Sequence, residues 1–222
     1  MFSSSLLYKG GIIMIPILLG SIVALAIVIN RINYFLSLKM DLDSFIDKIH
    51  SLVRKNDIDQ AINECASVKH PVARIFRSGL ENIDKDRIGI ERAMERTGVV
   101  VMGEAEKYML LLVVIIGVEP MLGFLGTILG LIRSFMAWEQ LAGSVTVSFL
   151  AGGIYQAMIT TAGGLLVAIP YYVIYHVMVG RINLLAKDLN HQGEELLDLI
   201  QDTQKTKKTK KTQDIQDSQK VR

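Results

Sequence analysis

The sequence predicts an all-α integral membrane protein with three transmembrane helices, in which long helices extend into a cytoplasmic helical domain. Three largely apolar runs approach or exceed the roughly 20 residues needed to cross about 30 Å of hydrocarbon. Charged side chains lie mostly outside these runs, and there is no Asp, Glu, Lys or Arg between Glu139 and Arg181. A single soluble domain would mix apolar and charged residues more evenly than this.

The chain begins with a short segment that carries little charge, followed by the first span. We expect residues 1–9 on the periplasmic side and residues 10–30 in the membrane. The apolar run is too long for a signal peptide and lacks a clear cleavage site. Pro16 lies inside it, where neighbouring helices can compensate a lost hydrogen bond. Arg31 and Tyr34 follow at once and resemble an interfacial anchor.

Residues 31–107 are predicted to form the cytoplasmic helical domain. Apolar residues recur with a helical period in segments that begin near Asp41, at Asp57 and at Pro71, and proline suits the first turn of a helix. Charges of both signs alternate along these segments, which indicates a solvated face and not a nucleic-acid patch.

The second and third spans follow a fourth polar helix that begins at Arg87. The sequence shows no break before Tyr108, so we expect this helix to run straight into a second span over residues 108–135. Residues 136–147 are predicted to form a periplasmic link, and residues 148–180 the third span. At about 1.5 Å per residue the third span is long enough to cross with tilt and to protrude.

Lysine and arginine set the expected orientation. Nearly all of them lie in residues 31–107 or from Arg181 onward, and Lys9 and Arg133 are the exceptions. Because positively charged segments stay in the cytoplasm, the amino terminus is expected on the outer side of the membrane and both large polar segments in the cytoplasm. This orientation also places the carboxyl terminus in the cytoplasm.

The end of the chain divides into a helix and a tail. An apolar stripe predicts a cytoplasmic helix over residues 181–200. Residues 201–222 are mainly Gln, Thr, Lys and Asp, and we expect a disordered basic tail. Its lysines either keep the tail soluble or contact anionic lipid.

Two of the spans carry small residues at helical spacing. In the second span these are Gly123, Gly126, Thr127, Gly130 and Ser134, and in the third they are Gly153, Ala157, Thr161, Gly164 and Ala168. Such faces let helix backbones approach closely, which is how helices associate where lipid supplies no hydrophobic drive. Packing alone explains the glycines.

Polar side chains inside the spans are the candidates for a pore or proton pathway. They are Thr127, Thr161, Gln156, Thr160 and Glu119. Thr127 and Thr161 fall near the same depth on antiparallel neighbours and could form a narrow hydroxyl ring. Alternatively, a threonine in a membrane helix bonds a carbonyl of its own helix and does nothing else. The amide of Gln156 needs a hydrogen-bond partner, because burying it unpaired would be costly.

Glu119 is the only acid within the second span. A carboxylate in hydrocarbon is expensive, and such residues are functional candidates by default. Two interpretations remain open. Either Glu119 takes part in proton transfer, or it lies in the water-filled mouth of a pore or at a helix break before Pro120.

Other chemistry finds little support in the sequence. The four histidines are scattered without metal-ligand spacing, so no metal or cofactor is expected. The single cysteine, Cys65, forms no internal disulfide and is expected to be a small buried apolar residue. The spans show no nucleophile–base pair and no phosphate loop, so an enzyme is the least favoured class.

Four stretches resemble the ExbB/TolQ branch of the MotA/TolQ/ExbB proton-channel family. GGIIMIPILLGSIVALAIVINR is similar to the opening helix of that family, although its usual Glu-Arg ending is Asn30-Arg31 here. HPVARIFRSGL, from His70 to Leu80, is similar to a recurring cytoplasmic stretch. PMLGFLGTILGLIRSF and GIYQAMITTAGGLLVAIP resemble the two signature spans. The resemblance covers nearly the whole chain except the tail.

The resemblance implies a homo-oligomer in the bacterial inner membrane, a pentamer around a pore. The pore would hold the helices of an ExbD/TolR-like single-span partner, whose aspartate carries the proton past threonines matching Thr127 and Thr161. Proton-motive force would then move the partner, which pulls on a TonB- or TolA-like protein in an outer-membrane transport or envelope system. The alternatives are a flagellar-type stator subunit and, from another class, a non-conducting membrane scaffold.

Two positions depart from the family pattern. Many members have a glutamate where this chain has Gln156, and a small residue where it has Glu119. One interpretation is that the partner's aspartate carries the charge and Gln156 only hydrogen-bonds. A sharper hypothesis is that Glu119 substitutes for the missing acid.

Overall fold

The computed structural model of the chain describes residues 10–140 and 147–220, with side chains described for residues 10–139 and 151–205. Its regular elements are helices: α1 (Met14–Ser37), α2 (Leu42–Arg54), α3 (Ile58–Ser67), α4 (Pro71–Glu81), α5 (Arg87–Ala105), α6 (Met109–Gln140) and α7 (Val147–Lys220). The expected all-α class is confirmed. The calls on residues 1–9 and on much of the 136–147 link lie outside the described residues.

Three helical regions are long and apolar enough to cross a membrane, as predicted. They correspond to α1, α6 and the first part of α7. The chain forms two compact units. The spanning unit comprises the residues up to Asn33 together with Glu106–Gly180. The polar unit comprises Tyr34–Ala105 together with the residues from Arg181 onward.

Neither proline in the first two spans breaks its helix. Pro16 is the third residue of α1, where a backbone N–H has no partner inside the helix, so its absence is tolerated. Gly11, just before this helix, has φ +72, a left-handed conformation that glycine adopts without strain. Pro120 lies inside α6, and the helix continues through it. The helix break that one interpretation of Glu119 required is therefore absent.

The prediction that α5 runs straight into the second span is wrong. The helix stops at Ala105, and α6 starts at Met109. Tyr108 between them has φ 67, which costs a side-chain-bearing residue roughly 1–2 kcal/mol. The guanidinium carbon of Arg31 lies 5.9 Å from the centre of the Tyr108 ring, within the range of a cation–π contact of about 0.5–1 kcal/mol. This contact offsets part of the backbone strain.

Short polar caps define where the helices of the polar unit begin. The carboxylates of Asp41 and Asp57 accept hydrogen bonds from backbone N–H groups at the starts of α2 and α3. Nδ1 of His70 accepts the N–H of Val72 at 3.2 Å, next to Pro71 in the first turn of α4. These are the starts that the sequence pattern predicted.

The apolar faces of these helices share one core with the part of α7 after residue 181. Its largest fully buried side chains are Ile49, Val53, Val72, Phe76, Leu80, Ile90, Val101, Leu196 and Ile200. The ring of Phe76 stacks on His50 with 6.1 Å between ring centres. Cys65 is buried in this core, and burial raises the pKa of its thiol to about 12. Its role as a small packing residue agrees with the expectation.

The carboxyl-terminal tail differs from the expectation of disorder. Helix α7 continues through residues 201–220 without interruption. This segment lacks glycine and proline and is rich in lysine and glutamine, which favour a helix once one has started. The side chains after Lys205 lie outside the described part, so the contact of the lysines with lipid stays a prediction.

Acidification is expected to weaken the polar unit. Burial lowers the pKa of His50 and of His70, although Glu195 and Asp188 respectively oppose the shift. The unfolded chain then binds these protons more readily than the folded chain. Stability is fully present above the ordinary histidine pKa, about 6.5, and is progressively lost as the pH falls below it.

Amide hydrogen exchange of α2 and α4, corrected for intrinsic rates, measures this loss between about pH 7.5 and 5.5. The His50→Gln variant should lose part of the pH dependence because its side chain does not titrate. The exposed His191 gives a matched control, His191→Gln, which should behave like the parent. Equal pH dependence in all three proteins would contradict the assignment to His50.

Candidate functional site

The glycines of α6 bring its backbone against that of α7. A Cβ built on Gly123 would lie 3.0 Å from the carbonyl oxygen of Thr160, and one on Gly130 would lie 2.8 Å from that of Gly153. A Cβ on Gly164 would approach the carbonyl oxygen of Glu119 to 2.5 Å. These distances are too short for a side chain, so the two predicted small-residue faces meet. We call this contact the α6–α7 seam.

Hydroxyl groups fill the gaps that the glycines leave in the seam. Thr160 is completely buried, and its hydroxyl occupies the place where a Cβ of Gly126 would be. The hydroxyl of Ser134 fills the corresponding place at Gly153. Both hydroxyls also donate to backbone carbonyl oxygens of their own helices. Their protons are therefore satisfied within the close-packed seam.

The two threonines expected to form a ring make different hydrogen bonds. The hydroxyl of Thr161 donates across the seam to the carbonyl oxygen of Gly123 at 3.1 Å. The hydroxyl of Thr127 donates to Phe124 of its own helix and is partly exposed. The two hydroxyls thus bind carbonyl oxygens of successive residues of α6, Phe124 and Gly123, which lie about 1.5 Å apart along the helix axis.

The amide of Gln156 finds its partner at the start of the first span. Its Nε2 donates to the carbonyl oxygen of Gly10 at a long 3.5 Å. The same nitrogen occupies the place where a Cβ of Gly11 would be. The two glycines thus let the chain before α1 close over the amide.

Glu119 points into the interior of the spanning unit. Its side chain is only 2% exposed, and Oε1 occupies the place where a Cβ of Gly20 in α1 would be. Its Oε2 is buried and has no hydrogen-bond partner among the described residues. The water-filled mouth that one interpretation proposed is therefore not what surrounds this acid in the subunit.

The five candidate polar residues thus divide into two groups. Thr160 and Glu119 are enclosed within the subunit, whereas Thr127, Thr161 and Gln156 keep some exposed surface. Hydroxyl oxygens that donate their proton still have lone pairs that accept hydrogen bonds. The arrangement therefore offers acceptors near the subunit surface and one buried acid beneath α1. Within the described residues, no cluster of His, Cys, Asp and Glu could hold a metal ion.

The sequence did not reveal the contribution of α1. Gly10 and Gly11 contact the side chain of Gln156, and Gly20 contacts that of Glu119. Tyr171 of α7 also donates to the carbonyl oxygen of Ser21 at 3.1 Å. The glycines are visible in the sequence, but only the packing of α1 shows what they face.

The profile of the MotA/TolQ/ExbB proton channel family matches residues 67–191. This is more than half of the chain, and it includes all five candidate polar residues and the whole seam. The chain belongs to this family. Similarity to proteins named ExbB and TolQ places it in the ExbB/TolQ branch.

Three relatives show the extent of the similarity. An ExbB homologue of Methanothermobacter thermautotrophicus, named as a biopolymer transport protein, is 31% identical over 176 residues, which are 79% of this chain and 62% of that protein. An ExbB-like protein of Synechocystis is 32% identical over 163 residues, 72% of this chain and 77% of that protein. The Tol-Pal system protein TolQ of Pseudomonas aeruginosa is 27% identical over 191 residues, 78% and 80% of the two chains. The match thus spans less than two thirds of the archaeal relative.

The seam predicts that one methyl group at Gly164 destabilises the spanning unit. Gly164→Ala places a Cβ against backbone atoms of Glu119 and Gly123, which cannot move aside without separating the helices. Overpacking of this kind costs about 1–3 kcal/mol. Thermal unfolding of the purified chain in detergent, followed by circular dichroism, should show a lower midpoint.

Gly180→Ala is the matched control on the same helix. No atom lies within 4 Å of a Cβ built at Gly180, and alanine favours a helix over glycine by up to about 1 kcal/mol. This variant should unfold at the parent's temperature or slightly above it. If both variants unfold at the same temperature, the seam is not as tight as described.

Proposed function

We propose that this chain is a subunit of an inner-membrane proton channel that couples proton-motive force to mechanical work on a TonB- or Tol-type envelope system. The observation that carries the proposal is the pair Thr127 and Thr161, whose hydroxyls lie where α6 packs closely on the stretch of α7 that has no Asp, Glu, Lys or Arg. Family membership supports the same class of activity.

The chemistry of the two hydroxyls suits a neutral acid that crosses the membrane. Each donates its proton to a backbone carbonyl, so each oxygen is left to accept a hydrogen bond from outside the subunit. A protonated carboxylic acid is a donor and avoids the large cost of a charge in hydrocarbon. Thr127 and Thr161 would therefore solvate the protonated acid of a partner and offer little to a bare carboxylate.

The proton-carrying acid of the main path would then come from another molecule. The third span has no Asp, Glu, Lys or Arg between Glu139 and Arg181, and Glu119 is enclosed within the subunit. A single-span ExbD/TolR-like protein with an intramembrane aspartate fits this requirement. Several copies of this chain would surround the helix of that partner. The family suggests that they form a pentamer.

The other residues of the pathway have supporting roles in this proposal. Thr160 has no exposed surface and sets the spacing of the α6–α7 seam. Gln156 ties α7 to Gly10 and does not exchange a proton. The distribution of lysine and arginine supports a periplasmic amino terminus and a cytoplasmic polar unit.

One observation favours a second candidate, a non-conducting scaffold. Thr127, Thr160 and Thr161 all donate to backbone carbonyls within the subunit, as packing residues do. A scaffold needs only the packing within each subunit that these hydrogen bonds support, and it needs no free acceptor. The two candidates therefore differ in what the loss of one hydroxyl changes.

The Thr161→Val variant distinguishes the channel from the scaffold. The chain is reconstituted with its ExbD/TolR-like partner in liposomes that contain a pH-sensitive dye, and proton entry is measured under an imposed gradient. Losing one hydrogen-bond acceptor for a buried donor costs about 1–3 kcal/mol, so proton flux should fall by about fivefold to a hundredfold. Native mass spectrometry should find the same assembly as in the parent.

Two further variants control this experiment. Thr161→Ser keeps the hydroxyl and should retain most of the flux. Thr97→Val removes a hydroxyl that donates to Ala93 within α5, outside the spans, and should leave flux unchanged. If Thr161→Val conducts as well as the parent, or if the parent does not conduct, the channel proposal is wrong and the scaffold is favoured.

A further inference from the structure

Glu119 is a buried acid that the proposed path does not use. Its side chain is 2% exposed, Oε2 has no hydrogen-bond partner among the described residues, and it lies in the middle of an apolar helix. A carboxylate in this position would lack both water and a counter-ion. A carboxylic acid carries no charge and avoids most of that cost.

No charged side chain lies near the carboxyl group along the elements packed on it. In α1, the first charged residue after Gly20 is Arg31, eleven residues or about 16 Å farther along the helix. Lys107, just before α6, lies twelve residues before Glu119, and Arg133 in α6 lies fourteen after it. In α7, Arg181 lies seventeen residues after Gly164. The hydroxyl of Tyr171 in α7 donates to the carbonyl oxygen of Ser21, the residue after Gly20.

The packing around the carboxyl group makes room for it specifically. Gly20 provides the space for Oε1, and Gly164 lets α7 lie on the backbone of residue 119. A side chain at Gly20 would collide with the carboxyl group. The glycine of α1 therefore both admits Glu119 and covers it from the surroundings.

We infer that Glu119 is a proton-binding site inside the subunit, covered by α1 at Gly20, and that it exchanges its proton with water when α1 separates from α6. The step is the binding of one proton by one carboxylate to give a carboxylic acid, and its reversal. Its place in transport rests on the proposed function, whereas proton binding itself does not. The site would thus give the subunit an acid of its own beside the acid of the partner.

Infrared spectroscopy of the purified full chain in lipid tests proton binding directly. At neutral pH the exposed carboxyl groups are ionised, so a carbonyl stretching band of a protonated carboxylic acid reports a buried one. The band should be present in the parent, shift in heavy water, and be absent in Glu119→Gln. The band should persist in Glu139→Gln, a matched control that removes an exposed acid near the end of α6.

Gly20→Ala tests the position of the site under α1. The added methyl group occupies the space of Oε1, so the band should shift or weaken. Gly117→Ala, for which no atom lies within 4 Å of the new Cβ, should leave it unchanged. Absence of the band from the parent, or its survival in Glu119→Gln, would overturn the site. A band that Gly20→Ala leaves unaltered would overturn the role of α1.

Proton flux of the chain with its ExbD/TolR-like partner tests the use of the site in transport. Glu119→Gln should lower the flux below that of the parent without abolishing it, because the acid of the partner remains, while Glu139→Gln should not change it. A flux equal to that of the parent would overturn the exchange of this proton during transport. If the parent itself does not conduct, the proposed function fails, and the infrared result still decides whether Glu119 binds a proton.

Discussion

The close approach of the α6 and α7 backbones is the constraint on which the spanning unit depends. Lipid provides no hydrophobic force between helices, so their association rests on close packing and on hydrogen bonds between them. Glycine at Gly123, Gly130 and Gly164 permits the approach. Only at this separation can the hydroxyl of Thr161 reach a carbonyl oxygen of the opposite helix.

The same packing that holds the helices together also determines their chemistry. Water is excluded from the seam, so a charge inside it would be costly and a neutral acid is favoured. Hydroxyl groups that donate to the backbone remain acceptors, which suits contact with a protonated acid. The enclosed Glu119 follows the same rule, because its surroundings offer space and no counter-charge. Close packing thus supports both the association of the helices and the proposed handling of protons.

Much of the fold could be predicted from the sequence because local signals and burial agree. The three apolar runs, and the helix starts near Asp41, Asp57 and Pro71, follow from length, periodicity and capping. The break at Tyr108 could not be predicted, because tyrosine rarely adopts positive φ and neither glycine nor proline marks the turn. The helical tail was not predicted. Its polar composition argues against a packed core, but such a composition does not prevent helix α7 from continuing.

The candidate site likewise has features that can be predicted from the sequence and features that cannot. The small faces and the polar residues of the second and third spans are readable from spacing and residue type. The contacts of Gly20 with Glu119 and of Gly11 with Gln156 are tertiary, and join residues about a hundred or more positions apart. No local pattern encodes them. The hydrogen bond of Thr161 to Gly123 depends on the register of α6 on α7, and the expected ring of Thr127 and Thr161 stays a prediction.

The most direct test of the account is a structure of this chain assembled with its single-span partner in a lipid bilayer, determined by electron cryo-microscopy. The account predicts that α6 and α7 keep their glycine contacts, and that Thr127 and Thr161 face an enclosed axis occupied by the partner's helix. If both threonines instead face lipid on the outer perimeter, or if the assembly leaves no room on its axis for a second protein, the account is contradicted.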